Sequence, residues 1–375
     1  MSGPRFLLAA AVSLAVVLSA PFIRDIRDFI RATFPGQFVT VVVGVIAASL
    51  TTAIVVALVR IRDRRPLRYG AIAAALAFGT AYALWNAQGI ADVDAVERFH
   101  FVEYGFITLL FYRAWRPRGD ASPLIMPILA GIVVGTLEEW LQWFIPGRIG
   151  DMRDVFLNAA AIFCGLLFSL GVDPPAPLTL RFKPDSRRAV GIAGAVTVLV
   201  FSAFVHTVHL GFEIDDAEAG RFRSRYDAAE LLALAEARRA EWAVVGTLPR
   251  PASRSREDQY LSEGHLHVQE RNIRWSKGDI AAAWCENRIL EKYYGPVLTT
   301  ASYLAPTGHA WPVEQRVDAE QRAGASPGAS CVSRADATEG PHFIRTWPVP
   351  IFWLSVAALL AGIAGLTVVS SRRGA

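Results

Sequence analysis

The chain has 375 residues, of which 53% are hydrophobic and 19% are charged, and its mean hydropathy is +0.32. In soluble domains about a quarter of the residues are charged, so this composition argues against an ordinary soluble enzyme. The formal net charge of +4, from 38 basic and 34 acidic residues, is too balanced for a nucleic-acid-binding protein, and no nucleic-acid partner is expected.

Apolar runs near 20 residues predict membrane-spanning helices, because about 30 Å of hydrocarbon needs about 20 residues at a rise of 1.5 Å each. The sequence contains about eight such runs, at residues 6–23, 38–60, 69–87, 100–115, 123–145, 154–172, 189–211 and 349–370. The fourth run is the shortest and carries polar residues. Pro21, directly after Ser19-Ala20, argues against cleavage of the first run as a signal peptide, so we expect a retained helix.

Basic residues in the short loops indicate the orientation of these helices, since cytoplasmic loops are enriched in Lys and Arg. With the N-terminus inside, the cytoplasmic ends and short loops hold 15 basic residues and the opposite loops hold six. We therefore predict a multi-pass protein of the plasma (inner) membrane with both termini in the cytoplasm. Residues 212–348 would then lie outside the cytoplasm, and their net charge of −3 leaves +7 for the rest of the chain.

The external segment is long enough to bury a core of its own. Asp227 opens a stretch typical of a capped helix, and residues 279–294 are apolar at helical spacing. Residues 261–269 alternate apolar and polar, which predicts a half-buried strand. Residues 320–340 are rich in Gly, Ser and Ala and are expected to form a linker. We therefore predict a small α+β domain between the last two membrane helices.

Two pairs of residues in this segment have more than one interpretation. Cys285 and Cys331 can form a disulfide in an oxidising compartment, or they can remain unpaired thiols. His265 and His267 share one face of the predicted strand. They would form either a weak metal site or, as we favour, exposed strand histidines.

The predicted fold is mainly α, a polytopic membrane helix bundle with one extracytoplasmic α+β domain. Its expected segments are two N-terminal membrane helices at 1–68, a helical core at 69–172, a seventh membrane helix at 173–211, the external domain at 212–348, and a C-terminal membrane helix with a short cytoplasmic tail at 349–375.

Ionisable residues inside membrane helices are rare and costly, so they indicate function. Here they gather between residues 97 and 158, at spacings of three and four that place them on shared helix faces, and the predicted topology puts them all at the external side. Helix–helix adhesion is the alternative role for any one of them. Arg148 is the expected counter-charge. The predicted polar cluster comprises His100, Glu103, Tyr104, Glu138, Glu139, Gln142, Arg148, Asp151, Asp154 and Asn158.

The stretch FHFVEYG, followed by GTLEEWLQWFIPGRIGDMRDVFLN, resembles the VanZ-like family of bacterial membrane proteins over about residues 70–172. The family pattern is His and an acidic-Tyr pair, then Glu-x-x-Gln, then Arg, Asp, Asp and Asn. The glycine that often follows the family's Asn is absent here. The family's founding member raises resistance to teicoplanin, so the resemblance implies a link to antibiotic resistance in the cell envelope. The matching residues are His100, Glu103, Tyr104, Glu139, Gln142, Arg148, Asp151, Asp154 and Asn158.

Three functions remain open at this point. We favour a non-enzymatic envelope protein, whose cluster binds a lipid head group or a lipid-linked cell-wall precursor and whose external domain binds an envelope protein. A membrane-embedded hydrolase or transferase acting on an envelope lipid is the second, and a proton-coupled transporter is the third, although no inverted repeat is visible.

Catalytic residues are not assigned by the sequence. For the enzyme, His100 would act as a base or metal ligand, and Glu103, Glu139, Asp151 and Asp154 would act as ligands or acid–base groups. A divalent metal would suit this set. One histidine is few for zinc, however, and neither an H-E-x-x-H nor a G-x-S-x-G motif occurs.

Overall fold

The structure is a computed structural model that describes residues 3–145, 148, 150–175, 179, 181–249, 259–323, 331–333, 335 and 344–372. The chain divides into two compact units. The first comprises Met1–Leu141, Asp151–Phe204 and Leu354–Ala375, and the second comprises Gln142–Gly150 and Val205–Trp353.

Long apolar helices make up most of the first unit. In the part of the chain that the structure describes, seven helical segments are long and apolar enough to cross a membrane, so the prediction of a mainly helical membrane protein is confirmed. In chain order the helices of this region are α1 (Gly3–Ser19), α2 (Ile23–Thr33), α3 (Phe38–Arg60), α4 (Arg65–Trp85), α5 (Ala91–Trp115), α6 (Ser122–Gln142), α7 (Met152–Val172), α8 (Pro184–Val208) and, near the C-terminus, α14 (Val349–Arg372).

The fourth predicted span, 100–115, is the C-terminal part of the 25-residue α5. The helix begins earlier than hydropathy indicates because Asp92 and Asp94 occupy its first turn, where carboxylates complement the helix dipole. The backbone N–H of Gln88 also donates to Asp94 Oδ1 at 2.8 Å. These charged residues distinguish α5 from the seven apolar segments, so an eighth span stays a prediction.

Glycines allow α5 and α7 to approach each other closely. A Cβ added to Gly165 of α7 would lie 2.7 Å from the Cα of Gly105 in α5 and 3.0 Å from the Cβ of Thr108. Tyr104 and Ile107, on the same stretch of α5, are fully buried. Small residues at such crossings bring membrane helix backbones together, because van der Waals contact replaces the hydrophobic effect as the driving force.

Helix α6 reaches the same pair of helices through Gly131 and Gly135. A Cβ on Gly131 would lie 2.8 Å from the side chain of Ile162, and one on Gly135 would lie 3.0 Å from Cβ of Asn158 and 3.3 Å from the ring of Tyr104. These two glycines therefore set the distance at which the polar end of α6 meets α5 and α7.

The second unit holds a β-hairpin and several short helices. Strand β1 (Phe212–Asp216) pairs antiparallel with β2 (Gly220–Ser224), with Ile214 opposite Phe222. The helices of this unit are α9 (Ala228–Trp242), α10 (Gln259–Ser276), α11 (Ile280–Tyr293), α12 (Gly295–Thr299) and α13 (Val313–Ala323). The core between them is rich in aromatic and aliphatic residues, including Phe222, Trp242, Tyr260, Ile289, Tyr293, Tyr294 and Val297.

Two of the predicted helices in this unit are confirmed. Asp227 and Glu230 form a reciprocal capping box at the start of α9, and Asp279 caps α11 by accepting from the N–H of Ala282. Most of the predicted linker at 320–340 lies outside the described residues.

The predicted strand over 261–269 is wrong, because these residues belong to α10. The apolar–polar alternation covers too few residues to distinguish a strand from a helix that is buried on several sides. Leu261, Gly264, Val268 and Arg271 are all buried at intervals of three and four. That helical period appears only when the pattern is followed as far as Arg271.

A disulfide joins Cys285 of α11 to Cys331, with the two Cα atoms 5.6 Å apart. Beside it, the N–H of Arg221 donates to the carbonyl of Cys331 at 2.8 Å, and the N–H of Ser333 donates to the carbonyl of Arg221 at 2.8 Å. The disulfide and these two hydrogen bonds attach residues 331–333 to the hairpin and to α11.

Replacement of Gly165 by leucine tests the packing of α5 on α7. The new side chain would overlap Gly105 and Thr108, so we expect a loss of about 1–3 kcal/mol of stability and a lower melting temperature of the purified protein in detergent. Gly194→Leu on α8 is the matched control, because nothing lies within 4 Å of a Cβ there. Equal melting temperatures for the two variants would contradict this packing.

Candidate functional site

The predicted polar cluster is assembled mainly by three helices of the first unit. His100, Glu103 and Tyr104 lie on α5, and Glu138 and Glu139 lie near the end of α6. Asp151 caps the N-terminus of α7, followed by Asp154 in its first turn and Asn158 one turn further on.

A hydrogen bond between His100 and Asn158 links α5 to α7. The Nδ1 of His100 lies 2.8 Å from the Oδ1 of Asn158. With the amide oxygen as acceptor, Nδ1 carries a proton, and in the neutral ring Nε2 then keeps a lone pair. The imidazole also stacks parallel to the Tyr104 ring, with centroids 5.9 Å apart and an interplanar angle of 1°. These two contacts fix the position of the ring.

Tyr104 in turn links α5 to α6. Its hydroxyl donates a hydrogen bond to Oε2 of Glu138, and both side chains are buried. Glu138, Glu103 and Asp154 all act electrostatically on His100. The histidine is therefore surrounded by carboxyl groups from each of the three helices.

Glu139 and Asp151 hold the start of α7. The backbone N–H of Asp151 donates to Oε2 of Glu139 at 3.2 Å, and Oδ1 of Asp151 accepts from the N–H of Arg153 at 3.0 Å. An N-terminal N–H of a helix has no partner within the helix, and both carboxylates supply such partners here. These two acids therefore stabilise the N-terminus of α7.

Several buried side-chain atoms of the cluster and of the end of α6 have no hydrogen-bond partner among the residues that the structure describes. They include Oδ1 of Asp154, Nδ2 of Asn158 and Oγ1 of Thr136, and also Nε of Arg148 and Nε1 of Trp140. A buried polar group left unsatisfied costs roughly 1–3 kcal/mol, so such groups in folded proteins are usually matched by water or a ligand. For a polar molecule, the Asp154 oxygen can accept a hydrogen bond, the Asn158 nitrogen can donate one, and the Thr136 hydroxyl can do either.

Sequence reasoning missed a salt bridge beside the cluster. Arg153 of α7 donates from Nη1 and Nη2 to the two oxygens of Glu97 on α5, at 2.8 and 2.9 Å. Its Nε donates to Oδ1 of Asn86, just after α4, at 3.1 Å. The signal in the sequence was the position of Glu97, three residues before His100. Thr136, two residues before Glu138, was missed as well.

The other two predicted residues lie in the second unit. Nη2 of Arg148 donates to Oε1 of Gln142 at 2.9 Å. The expected role of Arg148 as a counter-charge stays a prediction. Among the described residues, no three His, Cys, Asp or Glu side chains come together as a metal site, so nothing in that part of the chain supports a metal held by three such ligands.

The prediction of exposed histidines at 265 and 267 is wrong, because both are buried in α10. His267 pairs through Nδ1 with Glu286 of α11 at 2.7 Å. His265 instead meets His309 edge to face, with ring centroids 5.1 Å apart. Burial, together with the neighbouring His309, lowers the pKa of His265 to about 4.

A comparison with protein-family models shows which family the membrane region is similar to. Residues 40–172 match the family model VanZ/LLP1. This part of the chain is VanZ-like. The VanZ-like region starts at residue 40 rather than at about 70 and therefore includes α3 as well as α4 to α7. No curated protein and no solved structure matches the chain.

The low pKa of His265 predicts an acid-labile second unit. The pKa of His265 is about 4 in the folded chain and 6.5 in the unfolded chain, so the unfolded chain takes up a proton first as the pH falls. The contribution of neutral His265 to the free energy of unfolding is therefore fully present above pH 6.5. It decreases by about 2–3 kcal/mol as the pH drops towards 4. Calorimetry of the full chain in detergent should show a melting transition that moves down over this range.

The His265→Phe variant should lose much of this pH dependence, whereas His100→Gln in the VanZ-like region should keep it. An unchanged pH dependence in the His265→Phe variant would contradict the assignment.

Proposed function

We propose that the polar cluster of the VanZ-like region binds the head group of an envelope lipid or of a lipid-linked cell-wall precursor. The observation that carries the proposal is the set of unsatisfied buried atoms on Asp154, Asn158 and Thr136, which lie on two packed membrane helices. Their number and type fit a small polar group better than they fit helix–helix adhesion, for which each atom would need a protein partner.

The chemistry of these atoms indicates the kind of head group. The Asp154 carboxylate accepts from an ammonium or hydroxyl group, and the Asn158 amide donates to a phosphate or carbonyl oxygen. Nε2 of His100, the ring nitrogen that does not contact Asn158, is a further acceptor when the ring is neutral. A ligand with both donors and acceptors, such as phosphoethanolamine or a sugar phosphate, matches this set. Acyl chains would hold such a group at the depth of the helices.

The distribution of basic residues favours cytoplasmic termini and, with them, an outer-leaflet position for the cluster. The disulfide between Cys285 and Cys331 supports an extracytoplasmic position for residues 212–348, because disulfides persist in oxidising compartments. We propose that this domain binds an envelope protein.

A membrane-embedded hydrolase or transferase is the second candidate. It is favoured by the hydrogen bond from Nδ1 of His100 to Asn158, which orients the ring and leaves Nε2 able to accept a proton. The carboxyl groups of Glu103, Glu138 and Asp154 act on the same ring. In this reading His100 is the general base and an envelope lipid is the substrate.

Binding is tested with the full chain in detergent, by native mass spectrometry with phosphatidylethanolamine, phosphatidylglycerol and a lipid-linked cell-wall precursor as separate probes. We expect Asp154→Asn to weaken binding of the preferred lipid at least about tenfold, equivalent to ~1.4 kcal/mol, because the negative charge is lost and one carboxylate oxygen becomes an N–H donor. Asp173→Asn, just after the other end of α7, is the matched control and should bind as the wild type does.

Equal affinity of the Asp154→Asn and Asp173→Asn variants for all three probes would contradict the proposed site. The same samples, incubated and analysed for released head group, separate the two candidates. Turnover by the wild type that is abolished in His100→Gln would establish the enzyme and overturn the binding-only function.

A narrower proposal, based on the VanZ-like resemblance, is a role in resistance to glycopeptides of the teicoplanin type. Expression of the chain in a teicoplanin-susceptible bacterium should raise the inhibitory concentration, and the Asp154→Asn variant at equal abundance should raise it less. An unchanged inhibitory concentration on expression of the wild type would contradict the resistance role. It would not bear on lipid binding, which the mass spectrometry tests separately.

A further inference from the structure

Helix α2 is a second, separate feature of the membrane region. It follows α1 after a short 3-10 turn, Ala20–Phe22, in which Pro21 interrupts the helical hydrogen bonds. Five of its eleven residues are charged, whereas α1 has only Arg5. The hydrophobic run predicted at 6–23 covers most of α1 and ends where α2 begins.

The charged and apolar residues of α2 lie on opposite faces. At 100° per residue, Ile23, Ile26, Phe29 and Ile30 fall within about a third of the helix circumference. The charged residues occupy the other side. They are Arg24, Asp25, Arg27, Asp28 and Arg31.

Length argues against α2 as a continuation of the membrane span. Helix α1 alone has 17 residues, or about 26 Å, which suffices to cross most of the hydrocarbon layer. The combined segment Gly3–Thr33 has 31 residues and would extend about 46 Å. A continued span would therefore place the charged face of α2 at or beyond the membrane surface, with its large apolar residues in water.

The two faces of α2 have different neighbours. Arg31 donates from Nη2 to Asp92 in the first turn of α5 at 2.7 Å, and its guanidinium lies 4.9 Å from the ring centroid of Phe38 at the start of α3. On the apolar side, Phe29 is 69% exposed and Ile26 is 48% exposed. Phe22, in the turn before α2, is 60% exposed.

We propose that α2 is an interfacial helix whose apolar face inserts into the lipid of the leaflet at which α5 begins. The occupant is lipid because this face continues the exposed apolar surface of α1, where Leu14 and Leu18 are also more than half exposed. Amphipathic helices with Phe and Ile on one side and Arg on the other bind at the boundary between head groups and acyl chains.

The contact between Arg31 and Asp92 gives this helix a role in the VanZ-like region. Asp92 lies in the first turn of α5, the helix that carries Glu97 and His100. The contact therefore links the interfacial helix α2 to the start of α5. Insertion of Phe29 and Ile26 sets the depth of that end of the helix in the leaflet. The proposal is independent of what the polar cluster binds.

Fluorescence of labelled cysteine variants tests the proposal. Phe29→Cys and Asp28→Cys, each in the full chain with the buried Cys164 replaced by Ala, are labelled with nitrobenzoxadiazole and placed in vesicles of phosphatidylethanolamine and phosphatidylglycerol. We expect blue-shifted emission and several-fold weaker iodide quenching at position 29 than at position 28. Lipids with a doxyl group near the head group should quench position 29 most strongly.

Equal iodide quenching at positions 28 and 29 would overturn the insertion of the apolar face. Stronger quenching of both positions by a doxyl group deep in the acyl chain would show that α2 crosses the membrane and would also overturn the proposal. Ile26→Cys and Arg24→Cys form a second pair on opposite faces, which decides the question if either first variant fails to fold.

Discussion

The close contact between α5 and α7 at Gly105 and Gly165 is the constraint on which the polar cluster depends. With a side chain at Gly165, the two backbones would have to move apart, because a Cβ there would lie 2.7 Å from Gly105. The hydrogen bond from His100 to Asn158, at 2.8 Å, exists only at this separation. Gly135 extends the same arrangement to α6, which brings Glu138 to the hydroxyl of Tyr104.

Polar groups between membrane helices have two roles here, and the hydrogen bonds separate them. Tyr104 with Glu138, and Glu139 with the N–H of Asp151, are complete pairs that join neighbouring helices. Asp154 and Asn158 each keep one buried atom without a partner among the described residues. Because water is scarce at that depth, such atoms are costly unless a ligand meets them. The proposed binding function therefore depends mainly on Asp154 and Asn158.

Hydropathy and helix signals predicted much of the fold. The apolar run at 38–60 coincides with α3, Asp227 caps α9 as predicted, and α11 covers most of the helix predicted at 279–294. The strand at 261–269 failed because nine residues are too few to reveal the helical period of α10. Helix α2 was missed because its charges conceal an apolar face that only a helical projection shows.

Spacing predicted shared helix faces for the polar residues of α5, α6 and α7, but it did not predict which side chains pair. The bond between Arg153 and Glu97 joins residues 56 positions apart, and only the packing of α5 on α7 brings them together. Spacing also does not reveal which atoms lack partners, since that depends on side-chain direction.

Photo-crosslinking is the most direct test of whether a lipid head group occupies the polar cluster, as we propose. Vesicles containing the full chain and a phospholipid with a diazirine on its head group would be irradiated and the adducts located by mass spectrometry. We expect adducts in the first turns of α7 and near Thr136 of α6, and we expect an excess of the unmodified lipid to reduce them. Adducts confined to other helices, or unaffected by the competitor, would contradict it.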